Sequence, residues 1–229
     1  MNTNPKLHLA KYLKMYANYT KSEVKNLIKE GRVLVNQEPQ PLSYIIRDAD
    51  IVLVDNKLIT KVPLVYYLYH KPVGVVCTNN MEIKDNIISK VHLAYRVFCV
   101  GRLDKDSSGL VILTNDGFFA QRLMHAGEHI EKEYLVTVEK EITEELLDSF
   151  RSPIVIRGKK TSPAKVKKLD DKTLQIILTD GKYRQIRRLV VRGKNRVKTL
   201  KRVRIAHYQL NGLKENEIVE FEEENQILI

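Results

Sequence analysis

Gly101-Arg102-Leu103-Asp104-Lys105-Asp106-Ser107-Ser108-Gly109-Leu110, continuing to Leu113-Thr114-Asn115-Asp116-Gly117, is the most informative run of this 229-residue chain. It reads as an extended segment, a polar turn and then an apolar strand. On a strand, residues two apart share a face. Arg102 and Asp104 are therefore expected to project together, with Leu103 turned into the core. A carboxylate beside a guanidinium is held ionised, as a nucleophile or a base requires. An ordinary ion pair at a strand end has the same spacing, so the spacing alone does not establish chemistry.

Outward from this run, the chain divides in two. Residues 1–60 read as a small module. Leu9, Leu13 and Tyr16 recur at helical spacing. Thr20 and Glu23 form a capping-box pattern, Val24, Leu27 and Ile28 supply an apolar stripe, and Gly31 stands where a helix ends. Short strands are expected at Val33–Gln37 and Ile51–Val54, with an Asp55-Asn56 turn after the second. Lys61, Val62 and Pro63 read as a linker. From residue 64 to 229, strand-like runs (66–69, 97–100, 110–113, 134–138, 173–178) alternate with helical ones (120–124, 144–150, 185–191). Long helical crossovers are too few for a doubly wound sheet. The expected class is α+β, with a mixed, mainly antiparallel sheet flanked by helices.

Charge narrows the partners. Lys plus Arg is 39 against 28 for Asp plus Glu, a formal +11. Such a surplus favours a polyanion, either nucleic acid or an anionic membrane surface. From Gly181 to Lys214 there is no acid, whereas Glu215 to Glu224 carries six glutamates and no base. In the small module, Lys21, Lys25 and Lys29 line one helix face, and Arg32 adds to them. A solvated helix face would look the same. A membrane-surface helix needs large apolar residues opposite its lysines; the N-terminal helices are too modest for that, and the chain has no Trp. The N-terminus lacks the apolar core of a signal peptide. No apolar run approaches the roughly 18 residues of a membrane span. Two cysteines outside any C-x-x-C spacing suggest neither a disulfide framework nor a zinc site, and a reducing cytoplasm is expected. His125 and His129 are four apart, but Gly127 lies between them and no third ligand is evident, so no metal is expected.

Four segments, in order, resemble the motifs of the RsuA-type pseudouridine synthases: GRLDKDSSGLVILTNDG from Gly101; Tyr69-His70-Lys71-Pro72-Val73-Gly74; Lys132-Glu133-Tyr134; and Gly181-Lys182-Tyr183-Arg184-Gln185-Ile186-Arg187-Arg188. The small module is similar to the RNA-binding domain of ribosomal protein S4. The phrases at 102–107 and 131–138 look closest to the branch acting on large-subunit (23S) rRNA. The resemblance implies that the chain isomerises a uridine to pseudouridine without a cofactor. It implies Asp104 as the catalytic carboxylate, Arg187 as its basic partner, and Tyr134 packed on a flipped base. Arg102 would either fill the place the base vacates or contact a phosphate without that role. Further RNA contacts are expected at Lys71, Lys105, Arg184, Arg188 and Arg192, besides Lys21, Lys25, Lys29 and Arg32. Arg184, Arg187, Arg188 and Arg192 are expected on one helix face, with Arg192 meeting phosphate or solvent. The partner implied is ribosomal RNA, bound by a monomer; a tRNA as second substrate stays open. Departures are His70, where Asn is usual, Lys214-Glu215-Asn216-Glu217 in place of a Gly-rich turn, and no basic extension after Ile229. A non-catalytic assembly factor on the same scaffold would have lost its carboxylate, yet Asp104, Tyr134 and Arg187 are all present.

Overall fold

The computed structural model describes residues 7–17, 19–125 and 130–223, the side chain of His125 excepted. The chain forms two compact units, Met1–Leu64 and Val65–Ile229.

In the first unit, α1 (Leu9–Tyr16) and α2 (Lys21–Lys29) pack over short strands. Both halves of the capping box are made: Thr20 Oγ1 accepts from the Glu23 N–H, and the Glu23 carboxylate accepts from the Thr20 N–H. Gly31, at φ +70°, takes the left-handed position that ends α2. β1 (Val33–Val35) and β2 (Val52–Val54) pair antiparallel, and Asp55 and Asn56, both left-handed, turn the chain after β2. Leu9, Leu13, Val24, Val33, Val35 and Val52 are almost fully buried in this unit's own core. Burial on that scale suits a module stabilised by its own apolar contacts.

The second unit is built on one large sheet. Its strands are β3 (Tyr66–Lys71), β4 (Phe98–Val100), β5 (Ser108–Thr114), β6 (Lys132–Val138), β9 (Lys165–Lys168), β10 (Thr173–Leu178), β11 (Val197–Ile205), β12 (Tyr208–Gln209) and β13 (Ile218–Glu220). A separate small hairpin holds β7 (Val155–Ile156) and β8 (Lys159–Lys160). The sheet order is β9-β10-β6-β11-β5-β3-β13, with β4 also on β5 and β12 on β11. Every pairing in it is antiparallel except β11 with β5. The fold is therefore α+β with a mixed, mainly antiparallel sheet. Helices α3 (Gly117–His125), α4 (Glu144–Arg151) and α5 (Gln185–Arg192) flank it. One core lies between the sheet and α4–α5, and contains Tyr69, Val111, Val136, Phe150, Leu174 and Val190. A second lies on the other face, where Phe119 of α3 meets Tyr66 and Tyr208 edge-on.

The parallel join is the tightest place in the sheet. It is short: Lys201 pairs with Ser108 and Arg202 with Gly109. A Cβ on Gly109 would stand 2.2 Å from the Arg202 carbonyl oxygen, and φ there is +112°. Only glycine meets both demands. Beside the join the Arg202 side chain is buried and donates through Nε to the Leu110 carbonyl at 2.8 Å.

β11 went unread in the sequence. VKTLKRVRI has apolar and basic residues in both strand phases, and its buried phase includes Arg202 itself. The two departures at His70 and 214–217 are neighbours. His70 Nδ1 lies 2.6 Å from the Leu213 carbonyl, and the Asn216 N–H donates to the His70 carbonyl. They meet where the chain enters β13, outside the cleft described next.

Candidate active site

Residues 102–104 are not a strand, contrary to the expectation. They form a coil leading into a turn at Lys105–Asp106. The alternation survives locally: Leu103 is buried, Arg102 is exposed and Asp104 is partly exposed. Three hydrogen bonds donated by backbone N–H groups fix this coil. The Leu103 N–H donates to Cys77 Sγ (3.4 Å), the Gly74 N–H to the Lys105 carbonyl (2.8 Å), and the Ser107 N–H to the Asp104 carbonyl (3.1 Å). Asp104 thus stands at a turn pinned on both sides, and its carboxylate faces a cleft of about 940 Å³. Such pinning holds a reactive group in place without the group itself being buried.

The cations of the site come from the turn before α5. Arg184 is left-handed (φ 52°) and occupies the cap position of α5. Gln185 and Asp180 lock that turn. Gln185 Oε1 accepts from the Lys182 N–H (2.9 Å), Gln185 Nε2 donates to Asp180 Oδ1 (2.6 Å), and Asp180 Oδ2 accepts from the Ser162 N–H (3.0 Å). Arg184 then reaches the Asp104 loop. It grips Asp106 through both terminal nitrogens (3.2 and 2.9 Å) and places Nη1 3.8 Å from Asp104 Oδ2. Arg187 was expected to pair directly with Asp104. Instead its Nη2 donates to the Asp106 carbonyl (2.8 Å) and Ser107 Oγ (3.3 Å), and lies 3.2 Å from Asp106 Oδ1. Partial burial pushes the Asp106 carboxyl up, but its bonds to Arg184 and the charge of Arg187 outweigh this and hold it below the ordinary carboxylate value.

Tyr134, on β6, is buried and lines the same cleft, as do Arg102, Lys105, Arg184 and Arg187. Leu178 and Leu200 add apolar wall. The cleft can therefore hold a planar apolar face against Tyr134 and a charged ribose–phosphate edge against arginines, with a carboxylate between.

Other expected contacts are placed differently. Lys71 is fully buried, and its ammonium donates to the Pro72 and Val75 carbonyls at 2.8 Å each; burial pushes its pKa down. It braces the turn after β3 and is inaccessible to RNA. The arginines of α5 do not share one face. Arg192 turns to α4 and donates to the Ser149, Ser152 and Pro153 carbonyls (2.5, 2.8 and 3.1 Å), closing that helix's C-terminus. Arg188 is exposed, 5.8 Å from the centre of the Tyr183 ring. Arg32 is held by Asp55 (2.6 Å) and Glu30 (2.9 Å). Lys21, Lys25 and Lys29 stand exposed on α2. His129 and the side chain of His125 lie outside the described residues. Among the described residues no group of three or more His, Cys, Asp or Glu is placed to hold a metal ion.

Sequence reasoning passed over Asp106, Gln185 and Asp180. Asp106, two residues past Asp104 in the same motif, was legible as a second acid facing the basic turn. The Gln185–Asp180 lock needed the fold, because only the fold shows both residues to be buried.

An aspartate loop, a basic turn and a strand tyrosine around one cleft, on this sheet and with a small basic module earlier in the chain, define an RNA-modifying enzyme. The comparisons agree. Residues 65–191 match the RNA pseudouridylate synthase family and residues 9–52 the S4 domain. The chain is 38% identical over 210 residues to the dual-specificity RNA pseudouridine synthase RluF of Escherichia coli K12, covering 90% of this chain and 72% of that one. It is 34% identical over 203 residues to ribosomal large subunit pseudouridine synthase B of Bacillus subtilis (85% and 83%). A crystal structure of a pseudouridylate synthase superposes with a TM-score of 0.67 at 30% identity, covering 94% and 96%. The chain belongs to the RsuA family of RNA pseudouridine synthases, with an S4 domain in front of the synthase domain.

Proposed function

We propose that this enzyme isomerises one uridine of ribosomal RNA, in the large subunit (23S), with Asp104 as the catalytic carboxylate. The observation that carries the reading is the pinned Asp104 at the cleft, 3.8 Å from the Arg184 guanidinium, with Tyr134 on the same wall. The relatives named for RluF and for large-subunit synthase B support the choice of RNA. The protein acts as a monomer in a reducing cytoplasm, where Cys77 and Cys99 stay free thiols.

The reaction breaks N1–C1′, turns the uracil and forms C5–C1′. A proton leaves C5 and one reaches N1, so no group is lost. The uridine must first leave its stack, which costs a few kcal/mol. Arg102 and Lys105, exposed at the cleft, meet the RNA backbone there. Two routes are open to a carboxylate in this place: addition to C1′ and removal of a sugar proton. Both need an Asp104 oxygen facing the ribose, and the pinned loop supplies it. Tyr134 offers the apolar face against which the ring turns.

The test is site-resolved pseudouridine mapping of rRNA from cells with and without the gene, complemented by wild type or by Asp104→Asn. One 23S position should lose pseudouridine without the gene and regain it with wild type alone. Full restoration by Asp104→Asn would overturn the assignment of Asp104. A position in small-subunit rRNA would overturn the choice of RNA.

A further inference from the structure

The β7–β8 hairpin has no part in the mechanism so far, yet it forms one rim of the cleft. Ile156, Arg157 and Lys159 line the cleft together with Tyr183 of the basic turn. The hairpin's own sequence is uniformly basic: from Ser152 to Leu169 there is no acid. Arg157 is exposed, and its guanidinium carbon lies 4.2 Å from the centre of the Tyr183 ring, which is itself 49% exposed.

Two features make this stack more than a chance surface contact. Arg157 and Gly158 form the two-residue tip of the hairpin, both left-handed at φ 50° and 74°. That turn prefers Asn-Gly or Asp-Gly, so arginine at the first position works against the turn's own preference. The side chain this unfavourable choice supplies is the one that reaches Tyr183. Second, among the described residues Arg157 makes no ion pair, whereas Arg184 next door is gripped by Asp106. The guanidinium lies over an aromatic ring and keeps its charge available. A flat guanidinium plane is a surface on which an unpaired base stacks.

We propose that Arg157, backed by Tyr183, is a stacking platform for an unpaired base next to the target uridine, so that the enzyme prefers targets flanked by an unstacked nucleotide. The inference rests on the reading of the substrate as RNA. Lys159 and Lys160, exposed beside the tip, take the adjoining phosphates. Tyr183 acts through Arg157 and is a positioning residue.

The experiment uses the full-length enzyme and a stem-loop RNA carrying the mapped uridine in a loop, together with versions abasic at each flanking unpaired position. Affinity is read by fluorescence anisotropy, and chemistry by single-turnover rate at saturating enzyme. Arg157→Lys, which keeps the charge but loses the plane, should weaken binding about tenfold, the scale of one lost base stack. Tyr183→Leu should match it and Tyr183→Phe should bind as wild type. One abasic position should erase the difference between wild type and Arg157→Lys. Wild-type affinity in Arg157→Lys would reduce the hairpin to a source of charge and overturn the platform. So would a tenfold loss that persists at every abasic position. A wild-type enzyme that binds the stem-loop with this base dependence but isomerises no uridine would leave the platform standing and sink the functional reading instead.

Discussion

Arg184 serves two acids at once: it grips Asp106 at 2.9 and 3.2 Å and lies 3.8 Å from Asp104 Oδ2. Asp106 fixes where the guanidinium stands, and the guanidinium in turn faces the Asp104 carboxylate proposed to react. Asp106→Asn keeps one acceptor but loses the charge-assisted fork. We expect its single-turnover rate to fall about tenfold, one decade for each ~1.4 kcal/mol of lost transition-state stabilisation. Arg184→Lys should fall at least as far, since an ammonium cannot make the fork. Arg187→Met, which loses contacts to Asp106 and Ser107 only, should be milder than Arg184→Met. The measurement is release of label from C5 of uridine at saturating enzyme. An Arg187 variant more damaged than the Arg184 variant would restore Arg187 as the direct partner of Asp104.

Arg192→Met should destabilise the fold and leave RNA affinity nearly unchanged. Three carbonyls at the end of α4 lose their donor; those of Ser152 and Pro153 can turn to water, but leaving the part-buried Ser149 carbonyl unsatisfied costs about 1–3 kcal/mol. For a unit of this size a loss of about 2 kcal/mol lowers the melting temperature by roughly 4–8 °C. Calorimetry and the salt dependence of binding give the two readouts. A smaller salt slope with an unchanged melting temperature would show Arg192 to be a phosphate contact after all.

Acid should weaken the sheet through Arg204. Its Nη2 lies 3.0 Å from Glu131 and its Nε 2.9 Å from Glu133. Glu131 is held below the ordinary value by Lys165 first and Arg204 second; Glu133 by Gln175 first and, against the opposing effect of burial, by Arg204. Carboxyls with depressed folded values contribute stability that is fully present above the unfolded value of 4.5 and is lost as pH falls through the folded ones. Arg204→Gln should therefore be less stable at pH 7, by about 1–2 kcal/mol, and should lose less on going from pH 5 to pH 2.5. Denaturant unfolding at several pH values measures both. Parallel curves for the two proteins would show that Arg204 contributes nothing through these acids.

Deleting residues 1–64 should weaken RNA binding while leaving a folded synthase unit. Val65–Ile229 carries its own cores and every residue of the cleft. The lost lysines of α2 contribute through counterion release, so the salt slope should fall by about one for each phosphate contact removed. Near-UV circular dichroism reports the fold and anisotropy reports the binding. Undiminished affinity would remove the small module from RNA recognition.

Much of this was legible in the residues because local rules and tertiary structure agree. The capping box at Thr20, the left-handed Gly31 and the alternation in β6 and β10 each follow from chemistry within a few positions. Asp104 and Tyr134 were singled out through the motifs that contain them, and both line one cleft. The failures have one physical origin, which is that a side chain's partner is not in the sequence near it. Lys71 and Arg192 look like RNA-seeking cations until the fold gives each a set of backbone carbonyls. β11 looks like a basic tract until its arginine at 202 is buried against Leu110. The arginine nearest Asp104 differs from the expectation, in which the motif resemblance put Arg187 there. Arg184 precedes the helix in a left-handed turn, and that turn swings it over the catalytic loop.

The short parallel join between β5 and β11 also bears on how the enzyme comes into being. The loop of Asp104 leads into β5, whereas Tyr134 stands on β6, the neighbour of β11, and Arg184 lies on the turn before α5. The two strands of the join are far apart along the chain, and contacts of that kind close late because loop-closure entropy must be overcome first. Neither side of the join alone contains Asp104, Tyr134 and Arg184 together. Activity then appears only when Gly109 seats against Arg202. In refolding, catalysis should lag the recovery of secondary structure, and the lag is a clock for that single contact.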